Sequence, residues 1–225
     1  MTKPQQKKLF LIGRDNWLKD TDLKYILLNH LKKSGHKIIW EDPSEFFLFK
    51  VRQLEINYFY WVPEALKTIN IRFIKILYGI THWDYFKYLK KRRNNSPEAL
   101  KKNLKSILSK LNKDIIIISR SSGGRFASSV ADELNIKHII CLSYPFQNPN
   151  NGVEPDRYIH LEHLKTPMTI FQGDKDEYGG LEVKDKYMLS PNINLQFVDA
   201  DHDFNLSTKD WEKVLTQIDT IIKNV

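Results

Sequence analysis

Apolar residues in this chain follow two rhythms, short unbroken runs and stripes at three- and four-residue spacing. The runs fall at 8–13, 37–40, 115–118, 138–145, 167–173 and 194–198. Lacking polar alternation, they read as strands buried on both faces of a parallel sheet. The stripes read as helices. Leu23, Ile26, Leu27 and Leu31 form one, capped by Asp20 or Thr21 and closed by Gly35. Leu66, Ile69, Phe73, Ile76 and Leu77 form another, with Pro63 suited to its first turn. Leu100, Leu104, Ile107, Leu108 and Leu111 follow a cap at Ser96-Pro97, and a further helix is expected over 126–134. Trp211, Val214, Leu215, Ile218 and Ile222 follow Ser207 or Thr208, either of which can cap the closing helix. Strands and helices in alternation predict an α/β fold: a mostly parallel sheet of about six strands, covered by helices on both faces.

One interval breaks the alternation. Residues 41–97 are far longer than a single crossover helix needs, and they hold 13 of the 27 aromatic residues. The segment 44–95 is expected to be a helical, aromatic-rich cap inserted into one α/β domain spanning 1–225, lying over the substrate end of the sheet. A second helical piece is expected over 83–89, running into Lys90-Lys91-Arg92-Arg93.

At 225 residues and 41% hydrophobic content, the chain fits one globular domain. No run reaches membrane-spanning length, and the opening apolar run is too short for a signal peptide. Cys141 is the only cysteine, which excludes an internal disulfide and points to a reducing, cytoplasmic setting, with the thiol itself a small core hydrophobe. The net charge of +8 is unevenly spread: residues 1–113 hold 24 Lys or Arg against 10 acids, and residues 114–225 hold 11 against 17. A basic half can steer an anionic substrate, polymer or membrane surface, and is equally compatible with a solvated lysine-rich surface. Without a nucleic-acid fold signature, the tetrad at 90–93 is weak evidence for DNA or RNA.

The chemistry concentrates in the second half. The strand Ile115-Ile116-Ile117-Ile118 runs into Ser119-Arg120-Ser121-Ser122-Gly123-Gly124-Arg125. A serine at a sharp strand-to-helix bend is a nucleophile elbow, which needs small residues two positions to either side. Ser121 has Ser119 and Gly123 there; Ser122 would have Arg120, so Ser121 is the candidate nucleophile. Gly173-Asp174-Lys175-Asp176 follows the next-to-last strand and supplies a carboxylate, Asp176 preferred and Asp174 its rival. Asp199-Ala200-Asp201-His202-Asp203-Phe204 follows the last strand and supplies His202 as base. Serine needs a base to take its proton, and the base needs a carboxylate to hold its tautomer. A metal site at Asp201-His202-Asp203 is disfavoured because adjacent side chains diverge. The oxyanion hole is expected from the backbone N–H groups of Ser122 and, after the first strand, Arg14. His30 is expected to be structural, and His160 and His163 to be surface residues on another loop. Arg120 and Arg125 are expected to form structural ion pairs, with a grip on an anionic substrate the lesser reading.

Ser-Arg-Ser-Ser-Gly-Gly-Arg, Cys-Leu-Ser-Tyr-Pro, Phe-Gln-Gly-Asp-Lys-Asp and Asp-Ala-Asp-His-Asp-Phe together resemble a small α/β-hydrolase. The likeness is to the dienelactone-hydrolase-like group and its chromatin-complex-subunit and testis-expressed branch. It spans about 115–205 in sequence and 8–40 in topology. It departs at Ser119, where the group has glycine, and at Ile12, where many hydrolases have histidine. The resemblance implies an α/β-hydrolase fold with Ser121, Asp176 and His202 as a triad and no defined substrate. The expected activity is hydrolysis of an ester or related acyl bond in a small molecule, anionic in one reading, with no cofactor or metal. The alternative is a non-catalytic hydrolase-fold protein holding an anionic partner through the basic aromatic cap.

Overall fold

The computed structural model describes residues 7–12, 23–41, 51, 54, 57–58, 60–83, 85–87, 96–111, 114–152 and 154–225. Six strands form one parallel sheet: β1 (Lys8–Ile12), β2 (Lys37–Trp40), β3 (Ile115–Arg120), β4 (Ile136–Leu142), β5 (Met168–Gly173) and β6 (Ile193–Val198). Their order across the sheet is β2-β1-β3-β4-β5-β6. The helices are α1 (Asn29–Lys33), α2 (Glu64–Thr81), α3 (Pro97–Leu108), α4 (Ser122–Ala131) and α5 (Thr208–Asn224). A wide turn of π-helix, Leu23–Leu28, leads into α1, and Gly35 closes it at φ 76°.

The uninterrupted apolar runs do what such runs must. In β3 all six residues are buried, and alternate side chains serve opposite cores. Ile116 and Ile118 join Leu9, Leu11, Leu27, Leu31 and α5 residues Trp211, Val214, Ile218 and Ile222 on one face. Ile115 and Ile117 join Phe10, Ile12, Leu104, Leu108, Ala127 and Val130 on the other. Helix α3 starts at Ser96, whose hydroxyl accepts from Ala99 N–H at 3.3 Å, and α5 at Ser207, which accepts from Asp210 N–H at 3.2 Å. A hydrogen bond between His30 Nε2 and Asp219 Oδ1, 2.9 Å, joins α1 to α5, the structural role expected of His30.

Two expectations are corrected. The helix after β3 begins at Ser122 and ends at Ala131, not 126–134, because Gly123 and Gly124 continue the helix directly from the bend. His160 is not a surface residue: it sits half-buried, Nε2 2.8 Å from Ser128 Oγ, and burial with nearby Lys101 and Arg125 pulls its pKa down to about 4. Helix α2 turns its apolar stripe outward. Its stripe Leu66, Ile69, Phe73, Ile76 and Leu77 lies on a helix as the spacing predicts, and all five are exposed, with Ile80 continuing the same face. The inward side is the opposite one. Tyr78 stacks on His82 at 4.0 Å and meets buried Tyr85 edge-on at 5.4 Å, while Gly79 lets the Phe86 ring approach to where a Cβ would lie 3.0 Å away.

Candidate active site

The bend after β3 is held in a strained conformation. Ser121 has φ 49° and ψ −124°, a region costing a residue with a Cβ about 1–3 kcal/mol. Close packing imposes it. A Cβ on Gly123 would stand 2.5 Å from the Ile12 carbonyl oxygen, and one on Gly124 would stand 2.2 Å from Cys141 Sγ. The backbone completes the clamp, with Ser121 N–H donating to Leu142 O at 3.0 Å and Gly124 N–H to Ser121 O at 2.9 Å. Ser119, where glycine is usual, is buried and donates to Ile140 O at 3.1 Å, so its hydroxyl is accommodated rather than crowding the bend. Cys141 lies fully buried behind the elbow, its thiol pushed up to about 12 by that burial, a packing residue and not a second nucleophile.

Three loops at the carboxyl ends of β3, β5 and β6 bring the candidate side chains together. Ser121 Oγ lies 2.9 Å from His202 Nε2, and His202 Nδ1 lies 2.9 and 3.0 Å from the two oxygens of Asp176. Asp174, the rival acid, points elsewhere: its Oδ1 accepts from Ala200 N–H at 3.2 Å and ties the two loops to each other. Lys175 pairs with Asp199 across the same junction. The loops come this close because of Gly173, where any Cβ would fall 2.4 Å from Ala200 O and 2.8 Å from Asp201 O.

Two residues that the sequence reading left without this role orient the relay. Gln172 is fully buried, and its amide orientation is fixed because Oε1 accepts from Tyr144 N–H at 2.8 Å. Nε2 then donates to Asp176 Oδ2 at 2.9 Å and to Gly179 O at 2.6 Å, while Tyr178 N–H donates to Asp176 Oδ1 at 2.8 Å. With donors on both oxygens the carboxylate acts as acceptor, so the shared proton belongs on His202 Nδ1. That leaves Nε2 free to accept from the serine hydroxyl. Arg120 is the second. It is buried, and Nη2 donates to the His202 carbonyl, which holds the histidine loop. Arg125 does pair, with Asp156. The Tyr178 ring lies 4.2 Å from the imidazole and flanks it. Beyond it, Phe204 takes φ 63° while fully buried against Trp211, which pins the loop's exit. The only forecast hint of these roles was Arg120's place next to the serine; nothing in the spacing marked Gln172.

The N–H of Ser122 stands at the start of α4, where helix N-termini present unpaired donors and positive potential. Arg14, the other expected oxyanion donor, lies outside the described residues, as does the tetrad 90–93. A serine, an imidazole and a carboxylate in hydrogen-bonded series beside a helix N-terminus can activate a hydroxyl and stabilise a developing oxyanion.

A six-stranded parallel sheet with helices on both faces and these three loops at its carboxyl edge is the alpha/beta hydrolase fold. A family model described as an alpha/beta hydrolase domain matches residues 63–225, and the chain belongs to that family. Among solved structures, it is similar to a hydrolase from Oleispira antarctica, at 16% identity and TM-score 0.58, covering 98% of this chain and 92% of that one. It is also similar to an esterase from Pyrococcus furiosus, at 14% identity and TM-score 0.53, covering 97% and 83%. A third is mouse alpha/beta hydrolase domain-containing protein 10, at 13% identity and TM-score 0.55, covering 99% and 92%. At these identities the likeness is one of fold. No curated protein matches the chain.

Proposed function

We propose that the chain is a serine acyl hydrolase cleaving an ester or related acyl bond, with Ser121 as nucleophile, His202 as base and Asp176 as the orienting acid. The observation that carries this reading is the continuous relay from Ser121 Oγ to His202 Nε2 at 2.9 Å and from Nδ1 to Asp176 at 2.9 Å. Ser121 Oγ attacks the acyl carbon as its proton passes to Nε2. The imidazolium is stabilised by Asp176, and the oxyanion is met by the N–H of Ser122 and by that of Arg14. His202 then protonates the leaving alcohol, giving an acyl-Ser121 enzyme. Water attacks the acyl carbon with His202 again as base, releasing the acid and restoring the serine.

Within the family we place the chain nearest the dienelactone-hydrolase-like group, on the elbow, strand-end and histidine-loop motifs. We read 44–95 as a cap inserted in a single domain and the cytoplasm as its setting. The insert leaves from the carboxyl end of β2, the same edge of the sheet that carries the three loops. An anionic substrate draws its support from the basic first half alone, since Arg120 and Arg125 are engaged by the His202 carbonyl and by Asp156. A purely binding protein would have no use for an aligned proton relay. The test is covalent labelling with a fluorophosphonate. Wild type is expected to label, and Ser121→Ala, with an unchanged melting temperature, is expected to lose the label and about 10⁴-fold or more of ester hydrolysis. Folded wild type that neither labels nor hydrolyses simple esters would overturn the reading.

A further inference from the structure

We propose that the outward face of α2 docks the protein onto the surface of an anionic phospholipid bilayer. Leu66, Ile69, Phe73, Ile76, Leu77 and Ile80 recur at three- and four-residue spacing along this 18-residue helix and form one exposed apolar stripe. Phe73 is 61% exposed and Ile80 67%. Amphipathic aromatics stand at both ends, with Tyr58, Tyr60 and Trp61 before the helix and Trp83 just after it, the two tryptophans each 71% exposed. Rings of this kind favour the headgroup level, where one edge is wet and the other apolar.

Charge selects the occupant. The segment 60–95 carries eight Lys or Arg against two acids, and Arg72 and Lys87 are exposed within it. The other half of the molecule, 114–225, has an excess of acids. An anionic surface is therefore attracted to the segment bearing α2, with its exposed Arg72 and Lys87, more than to the acid-rich second half. Two copies meeting through this face would instead bring two strongly basic segments together. Among the described residues no helix is long and apolar enough to cross a membrane, so α2 is suited to lie in the interface plane, apolar side down.

The surface does not depend on catalysis, so its test separates from that of the triad. The full-length protein is mixed with vesicles of equal parts phosphatidylcholine and phosphatidylglycerol, or of phosphatidylcholine alone, and sedimented at low and high salt. Binding to the mixed vesicles is expected, weakened by salt, at least about tenfold stronger than to the neutral ones, and unchanged in Ser121→Ala. The double variant Phe73→Asp, Ile76→Asp is expected to lower partitioning roughly a hundredfold. Should that variant fail to fold, quenching of wild-type tryptophan emission by brominated lipid in the mixed vesicles decides the matter. No binding, equal binding to both vesicles, no quenching, or a dimer abolished by the double variant in a protein that ignores vesicles would each overturn the proposal.

Discussion

Helices α2 and α3 are built from the same grammar and are used in opposite ways. Each opens beside a proline, at Pro63 and at Ser96-Pro97, and each carries a leucine- and isoleucine-rich stripe at helical period. In α3 the stripe is buried, Leu104 and Leu108 packing against β1, β3 and α4. In α2 the corresponding stripe faces outward and the packed side is the one bearing Tyr78 and Gly79. Periodicity reports that a helix has an apolar face; only the neighbours decide whether the face has a partner. The polar flanks differ as well. The α3 flank closes through a charged pair, Lys105 with Glu133, whereas the α2 region has few acids to answer its bases.

The same contrast, between groups fixed by neighbours and groups merely present in sequence, orders the tests. The largest effect belongs to the two aspartates of one loop. Asp176→Asn should lower kcat for ester hydrolysis by about 10²–10⁴, because the His202 tautomer loses its acceptor, and Asp174→Asn by less than about tenfold. Equal losses would mean that Asp174 shares the acid's role. Next comes the buried stripe of α3: Leu104→Ala should cost about 2–4 kcal/mol in urea denaturation, while Phe73→Ser on α2 should change stability by no more than about 0.5 kcal/mol. A large loss at Phe73 would place the α2 stripe inside a core after all.

A smaller effect comes from the imidazoles that are buried rather than catalytic. Burial holds His160 and His138 neutral, with pKa values lowered to about 4 from an ordinary 6.5. A histidine depressed in the folded state binds its proton first in the unfolded chain. Its contribution is therefore complete above about pH 6.5 and drains away as pH falls toward about 4. Thermal melts across that window should show the decline, and His160→Gln should flatten part of it. Asp132 and Asp156, which face His160 alongside Lys101 and Arg125, act against the depression without cancelling it.

Much of the frame was legible in the residues, for a physical reason. A run such as 115–118 can satisfy its burial in few ways, and a serine between Ser119 and Gly123 has little reason to follow it except a bend. The loops bearing Asp176 and His202 could be placed because each follows a strand, and in a parallel sheet successive strands end at one edge. What could not be read was everything fixed by contact between distant stretches. Gln172 looks like an ordinary strand residue until Tyr144 sets its amide, and nothing in the spacing of Arg120 reveals that it reaches the His202 carbonyl. His160 gave no sign of burial, because its partner Ser128 lies 32 residues earlier, with strand β4 between them.

Gly173 carries a consequence for how such a protein can change over time. It has no functional group, yet its bare α-carbon is what allows the carboxylate loop and the imidazole loop to touch. Selection for turnover must therefore press on a single hydrogen atom as firmly as on the hydroxyl it serves. A lineage that abandoned the reaction would be freed at this glycine as well as at the serine.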